Sequence, residues 1–174
     1  MIVATRPLAY AALCIAMVGA LSACGKPEND GAAVNALKTP LPPYPAWSVA
    51  MIGKPLASVV HGKADCMGVF DDVLASHAGA KPGSEVGGWA WDKTAKKGVQ
   101  HILIVDLDDH IIGAAEGGLR RPDVPPNMPG VTSEFVGWRG VTEATTGTAL
   151  AVGLAANGGQ CALAKAVKLD GAAY

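Results

Sequence analysis

Neither sign of charge dominates this sequence: 14 Lys and Arg stand against 15 Asp and Glu over 174 residues, a net charge of −1. A near-neutral chain lacks the electrostatic footprint that nucleic acid demands, so nucleic acid is not an expected partner. Aromatic residues are scarce, at 5% of the sequence, so a core must be built mainly from aliphatic and small side chains. Common catalytic signatures are missing as well. There is no Gly-x-Ser-x-Gly elbow, no His-Glu-x-x-His helix, no P-loop and no Gly-x-Gly-x-x-Gly opening a helix. The four histidines, His61, His77, His101 and His110, stand apart and share no metal-ligand spacing with a cysteine or with each other. The chain therefore reads as non-enzymatic, with no catalytic residue, metal or cofactor expected.

Long hydrophobic runs are also lacking, with one exception near the start. Arg6 supplies a minimal positive segment, Leu8 to Leu21 is apolar or small throughout, and Leu21-Ser22-Ala23-Cys24 closes the run. The run is short for a membrane span, and the polar Gly25-Lys26-Pro27-Glu28-Asn29-Asp30 that follows is no stop-transfer pattern. The closing four residues have the form of a bacterial lipobox. A cysteine directly after the small residues of a cleavage site can take a diacylglyceryl group on sulfur and become the new N-terminus. The expectation is a signal peptide over residues 1–23 and a lipid bilayer held through acylated Cys24, with more than the two anchoring signals that stable attachment needs. The alternative is an uncleaved anchor helix in which Cys24 is incidental. Gly25 stands where lipoproteins kept in the inner membrane often carry aspartate, which points to the periplasmic face of the outer membrane.

Cutting after Ala23 removes Arg6 and no acid, so 14 bases become 13 against 15 acids, a net charge of −2. It also removes Cys14. With Cys24 acylated, Cys66 and Cys161 are the remaining thiols, and in an oxidising compartment they are expected to pair. Their bridge would close a loop of roughly 100 residues, for which the chain-entropy argument gives about 4 to 5 kcal/mol before strain. Two buried free thiols are the alternative.

Residues 24–48 are polar and then proline-rich (Thr39-Pro40-Leu41-Pro42-Pro43-Tyr44-Pro45), a composition that runs as extended polyproline II and suits a flexible tether. Residues 49–174 show short β-branched or apolar runs separated by Gly, Asp, Asn and Pro, the pattern of an all-β domain. Strands are expected near 65–73, 86–91, 99–107, 110–116, 134–138, 149–155 and 160–166. In the third, Ile102, Ile104 and Asp106 share one face and Leu103, Val105 and Leu107 the other, so this strand should be central, and Asp108-Asp109 turns it into the fourth. Residues 148–156 are rich enough in Ala and Leu for a helix, but Val152, Gly153 and the Asn157-Gly158-Gly159 turn favour a hairpin into Cys161. About seven short strands imply a two-sheet antiparallel sandwich.

Three clusters could carry chemistry. In Gly87-Gly88-Trp89-Ala90-Trp91-Asp92 the indoles are two residues apart and share a strand face, and Trp138 lies in a similar setting, Gly137-Trp138-Arg139-Gly140. Exposed indoles could stack on sugar rings, with Asp92 or Arg139 bonding hydroxyls; at least two of the three are expected instead to be core aromatics. In Arg120-Arg121-Pro122-Asp123-Val124, Pro122 extends Arg121 and Asp123 can pair with one arginine to fix the loop; a guanidinium left free would hold a carboxylate or phosphate. Asp106, Asp108, Asp109 and His110 could gather oxygen ligands or serve an envelope hydrolase, but aspartates at a hairpin turn need only local backbone donors.

The order of these elements resembles a small extracytoplasmic β domain found at the C-terminus of polytopic bacterial envelope proteins, some thought to transfer or export sugars. The matching elements are Cys66-Met67-Gly68-Val69-Phe70-Asp71, Gly88-Trp89-Ala90-Trp91-Asp92, Ile112-Gly113-Ala114-Ala115 with Gly117-Gly118, Arg121-Pro122-Asp123-Val124, Gly137-Trp138-Arg139-Gly140 and Cys161-Ala162-Leu163. The resemblance implies a non-catalytic accessory domain linked to surface glycan assembly, and it supports the bridge. A lipid anchor in place of membrane helices is a departure, so transferase activity does not carry over. The expected role is binding or scaffolding toward a saccharide or an envelope protein complex, with Trp89, Trp91, Asp92, Arg121, Asp123, Trp138 and Arg139 as candidate ligand contacts. A structural protein docking through an exposed sheet edge is a further alternative.

Overall fold

Alternating apolar positions separated by turn residues specify strands, and the computed structural model, which describes residues 36–170, is built from them. The expected signal peptide, Cys24 and the first part of the tether lie outside the described residues. The elements are β1 (Cys66–His77), β2 (Gly83–Asp92), β3 (Lys97–Gly98), β4 (His101–Val105), β5 (Ile111–Leu119), a one-turn helix α1 (Val124–Asn127), β6 (Gly137–Thr142), β7 (Thr148–Leu154), β8 (Gln160–Ala162) and β9 (Val167–Lys168). All seven expected strands are present, and 148–154 is strand rather than helix. The seventh is split: it pairs with β7, leaves, and returns as β9.

The main ladder runs β1-β2-β6-β5-β4-β7-β8, antiparallel at every step. The sheet curls into a half-barrel, so the two walls expected of a sandwich are parts of one continuous sheet. Its end strands are drawn together where the chain leaves β8. Phe70 N–H donates to the Ala164 carbonyl at 3.0 Å, and Ala164 N–H donates to that of Gly68 at 2.9 Å. Beside this seam Cys66 and Cys161 form the disulfide, with Cα atoms 5.8 Å apart. Lys165, in a left-handed conformation at φ 67°, turns the chain back toward β7 while its Nζ donates to the Asp71 carbonyl. The sheet edge that might have accepted a partner strand is thereby largely used up.

Three apolar clusters explain why so few aromatics suffice. Inside the curl, Phe70, Val86, Ile102, Ile104, Trp138, Leu163 and Leu169 form the main core. Trp138 and Phe70 meet edge to face at 5.4 Å between centroids. Gly88 makes room for that indole, since a Cβ there would lie 2.5 Å from Trp138 Cζ2. The outer side of β4, β5 and β7 carries a second cluster with Leu103, Val105 and Ile111, covered by Trp47, Met51, Leu56 and Val60 from the preceding chain. Because Ile102 and Ile104 face inward while Leu103 and Val105 face this cover, β4 is buried on both sides, as its continuous apolar run required. A third cluster sits on the outer side of β2.

The proline-rich stretch is part of these covers. Leu37 bonds to the edge of β1, Leu41 and Ser48 are buried, and the Tyr44 hydroxyl accepts the Glu143 N–H at 3.1 Å. Residues 37–48, expected as tether, are laid against the sheet; the bare prolines fix an extended path, and the apolar side chains between them hold it down.

Candidate functional site

The pair Trp89 and Trp91 does share one face, as its spacing dictates, but that face is not open. Both indoles are buried, 5% and 1% exposed, in the third cluster with Val124, Val131 and Val136. The β5–β6 connection folds back over them, with α1 presenting Val124 inward. Trp138 is 2% exposed inside the main core. A stacking platform for sugar rings needs an accessible π face, so the candidate contacts Trp89, Trp91 and Trp138 are corrected to core residues.

Arg121 holds that cover in place. Its Nε and Nη2 donate to Asp123 at 2.9 and 2.7 Å, a two-pronged pair within the loop, and Nη1 donates to Asp71 of β1 at 2.5 Å. Asp71 sits at a β-bulge between Phe70 and Asp72, where an unpaired residue re-aims its side chain off the sheet. Hydrogen bonds from Arg121 hold the Asp123 carboxyl below its ordinary range, and bonds to Asp123 and Asp71 keep the guanidinium charged. A second pair, Arg120 Nε to Glu134 at 2.8 Å, ties the two ends of the same loop. The free guanidinium considered for a carboxylate or phosphate is thus occupied; the loop-fixing pair is what forms. Sequence proximity revealed Asp123, whereas Asp71 depends on a bulge that no local motif announces.

Asp92, 3% exposed, is also committed to the fold. Its Oδ1 accepts the N–H groups of Thr94 and Ala95 at 2.9 and 2.8 Å, and Oδ2 accepts that of Ala156 at 3.1 Å. Burial alone would raise this carboxyl; the backbone donors of Ala95, Ala156 and Thr94, with Lys97 nearby, outweigh it and leave the pKa below the ordinary value. The carboxylate joins the β2–β3 turn to the β7–β8 turn. Arg139 is exposed and lies 3.4 Å from Glu85; Asp123 is as exposed, but its two oxygens are taken by Arg121.

The acidic hairpin between β4 and β5 is a capped turn. Asp106 Oδ1 accepts the N–H of Asp108 at 3.0 Å and of His110 at 2.8 Å, and Asp109 takes a left-handed conformation at φ 59°. Among the described residues no three His, Cys, Asp or Glu side chains converge as a metal site would need. Of the four residues of the hydrolase alternative, Asp106 is engaged by the turn through one of its two oxygens.

Among the described residues the open grooves include three larger ones. One of about 520 Å³ runs along β7 and β8 past the disulfide, lined by Leu56, Lys63, Leu150, Gln160 and Leu163. One of about 480 Å³ brings His61 and His101 to the same wall as Met51 and Leu154. Trp47, which sequence reasoning passed over, stacks on His101 at 4.4 Å and 29°. The third, about 450 Å³, is bounded by Pro40, Pro43, Tyr44, Val49, Lys81 and Glu143. The large exposed apolar side chains include Leu119 and Phe135, 49% and 54% exposed, at the two roots of the loop that covers the indoles. No protein family, curated protein or solved structure matches the chain.

Proposed function

We propose that this chain is a lipoprotein of the bacterial envelope, anchored through acylated Cys24, whose β domain binds or scaffolds without chemistry of its own. One observation carries the reading. The dense polar motifs are consumed by the fold: Asp92 by three backbone donors, Arg121 by Asp123 and Asp71, and Asp106 by its own turn. Such a chain is built to present a stable outer surface. The disulfide between Cys66 and Cys161 is in keeping with an oxidising compartment, and the sequence at residues 21–24 supplies the route there.

Burial of the tryptophans moves the weight of the reading from saccharide toward a protein partner. Leu119 and Phe135, flanked by the Arg120–Glu134 pair, give an apolar patch with a charged rim, the composition of a protein contact. Two experiments test this. Labelling cells with an alkyne fatty acid should mark the wild-type chain and not Cys24→Ala, and an unlabelled wild type would defeat the anchoring. Crosslinking from an amino acid with a photoreactive side chain at position 135 should trap one dominant envelope protein. Retention of the purified chain on lipopolysaccharide, peptidoglycan fragments or exopolysaccharide, with no protein trapped, would return the reading to saccharide.

A further inference from the structure

His77 lies at the end of β1 with a side chain 3% exposed, and hydrogen-bond acceptors face both of its ring nitrogens. Nε2 is 2.9 Å from Glu85 Oε1 on β2. Nδ1 is 3.0 Å from the backbone carbonyl of Thr39, in the segment laid along the edge of β1, and 3.4 Å from the Thr39 hydroxyl. A carbonyl and a carboxylate only accept, so both bonds exist together only when each ring nitrogen carries a proton. The ring is then a cation between Glu85 and Thr39. The charged groups around it are few. Glu85 is its direct partner, and Arg139 on β6 lies 3.4 Å from the other Glu85 oxygen. Lys38 and Lys81, the bases nearest in the segment and in the β1–β2 turn, are exposed and make no bond to the ring among the described residues. Glu143 is exposed and engages the segment only through its backbone N–H to Tyr44.

We propose that His77 is a proton-operated clasp that fastens residues 37–41 to the domain and lets them go when its ring is neutral. Loss of one proton leaves a ring nitrogen whose lone pair points at an acceptor. Glu85, with its charge, retains the remaining N–H, so the Thr39 carbonyl faces a lone pair and that bond is lost. The Thr39 hydroxyl, at 3.4 Å, is a poor substitute. Nearby fastenings are backbone bonds of Leu37 with Ser76 and Ala78 at 2.7 and 2.9 Å and of Leu41 with Lys81 at 2.9 Å, so among the described residues the clasp is the one charged contact in the segment's attachment. An imidazole can gain or lose one proton under mild conditions, so two facing acceptors make this attachment depend on pH. Release frees the edge strand β1 near Ser76 and His77 and sets residues 37–41 loose, a span of about 16 Å at full extension.

Amide hydrogen exchange of the full-length protein in detergent, at pH 5.5 and 8.5 after correction for intrinsic rates, tests the clasp. Protection over 37–43 should fall about tenfold or more between the two, while β4 and β5 are unaffected. His77→Gln should remove the step and exchange at the faster rate throughout. An equal protection at both pH values, or the same step in His77→Gln, would overturn the proposal. Should that variant fail to fold, ring ¹⁵N shifts of wild-type His77 at pH 5.5 decide: two protonated nitrogens uphold the clasp, one refutes it. The readout does not involve Cys24, so its failure is separate from failure of the anchoring.

Discussion

Replacing Cys66 and Cys161 together by alanine should cost this domain about 4.7 kcal/mol, because the bridge spans 95 positions and a loop of that size loses a correspondingly large closure entropy in the unfolded chain. The structure gives little reason for the cost to be absorbed. Without the bridge the seam is held by the Ala164 bonds to Gly68 and Phe70, and β8 has only three residues paired to β7. Such a strand cannot recover elsewhere what the unfolded chain gains in freedom. With a urea slope of about 2 kcal/mol per molar, the midpoint should fall by about 2.3 M. The slope itself should rise, since an unlinked chain unfolds to a more open ensemble.

Urea unfolding followed by tryptophan fluorescence measures both quantities, with reduced wild type as a second route to the same state. Hydrogen exchange should place the first loss of protection at 160–164 and the last at β4, which is buried on both sides. A midpoint displaced by less than about 0.5 M, in the alanine pair and in the reduced protein alike, would mean that the seam closes without the bridge. The loop-entropy reasoning would then be wrong for this fold.

Three further outcomes follow from the geometry. Asp92→Asn retains one acceptor oxygen but turns an amide toward the Ala156 N–H, so it should cost about 1 to 3 kcal/mol at pH 7 by urea unfolding. Because the folded carboxyl titrates below its unfolded value of about 3.9, its contribution is present above that pH and is lost as pH falls through the folded value; the gap between wild type and variant should narrow below pH 4. Gly88→Ala drives a methyl into the Val69 carbonyl and the Trp138 ring and should destabilise by about 3 kcal/mol in thermal melts, with Trp138 emission shifted to the red. A chain beginning at Val49, where composition marks the end of a tether, loses buried Leu41 and Ser48 and the Trp47 cover; it should unfold about 3 to 5 kcal/mol more easily than one beginning at Ala36, and equal urea midpoints would show the cover to be dispensable.

The strands were legible because their signal is local. Alternation across β4 and β5, the Asp-rich turn between them and the Asn157-Gly158-Gly159 turn each act over a few residues, and there the reading and the fold agree. The site was less legible, for a reason visible at Trp89 and Trp91. Periodicity says which residues share a face; it does not say whether another segment lies on it. That depends on Val124 and Val131 returning across more than thirty positions of chain, and on Arg121 finding Asp71 at a bulge. The expected partnership of Arg121 with Asp123 was found because it spans two positions. The attachment of Leu37 and Thr39 to β1 was missed for the converse reason, since a proline-rich composition reads the same whether the segment hangs free or lies on a sheet.

The prolines follow a pattern that bears on where a partner could sit. Apart from Pro82 in the β1–β2 turn, those among the described residues lie in the two segments that cover the outer faces of the sheet, 40–55 and 122–129. A cover rich in proline cannot join the ladder as a central strand and winds no further than the single turn of α1, so it buries apolar area without extending the sheet. Among the described residues the sheet, curled on its core and joined at its ends, is largely covered, apart from the groove along β7 and β8. On the binding role proposed above, the covers offer two surfaces: the Leu119 and Phe135 roots of one, and the segment fastened by His77 in the other. Of the two, only the second is held by an imidazole set between two acceptors. A partner that reads this domain through that segment would gain or lose its site with pH, whereas one that reads Phe135 would bind alike across the range.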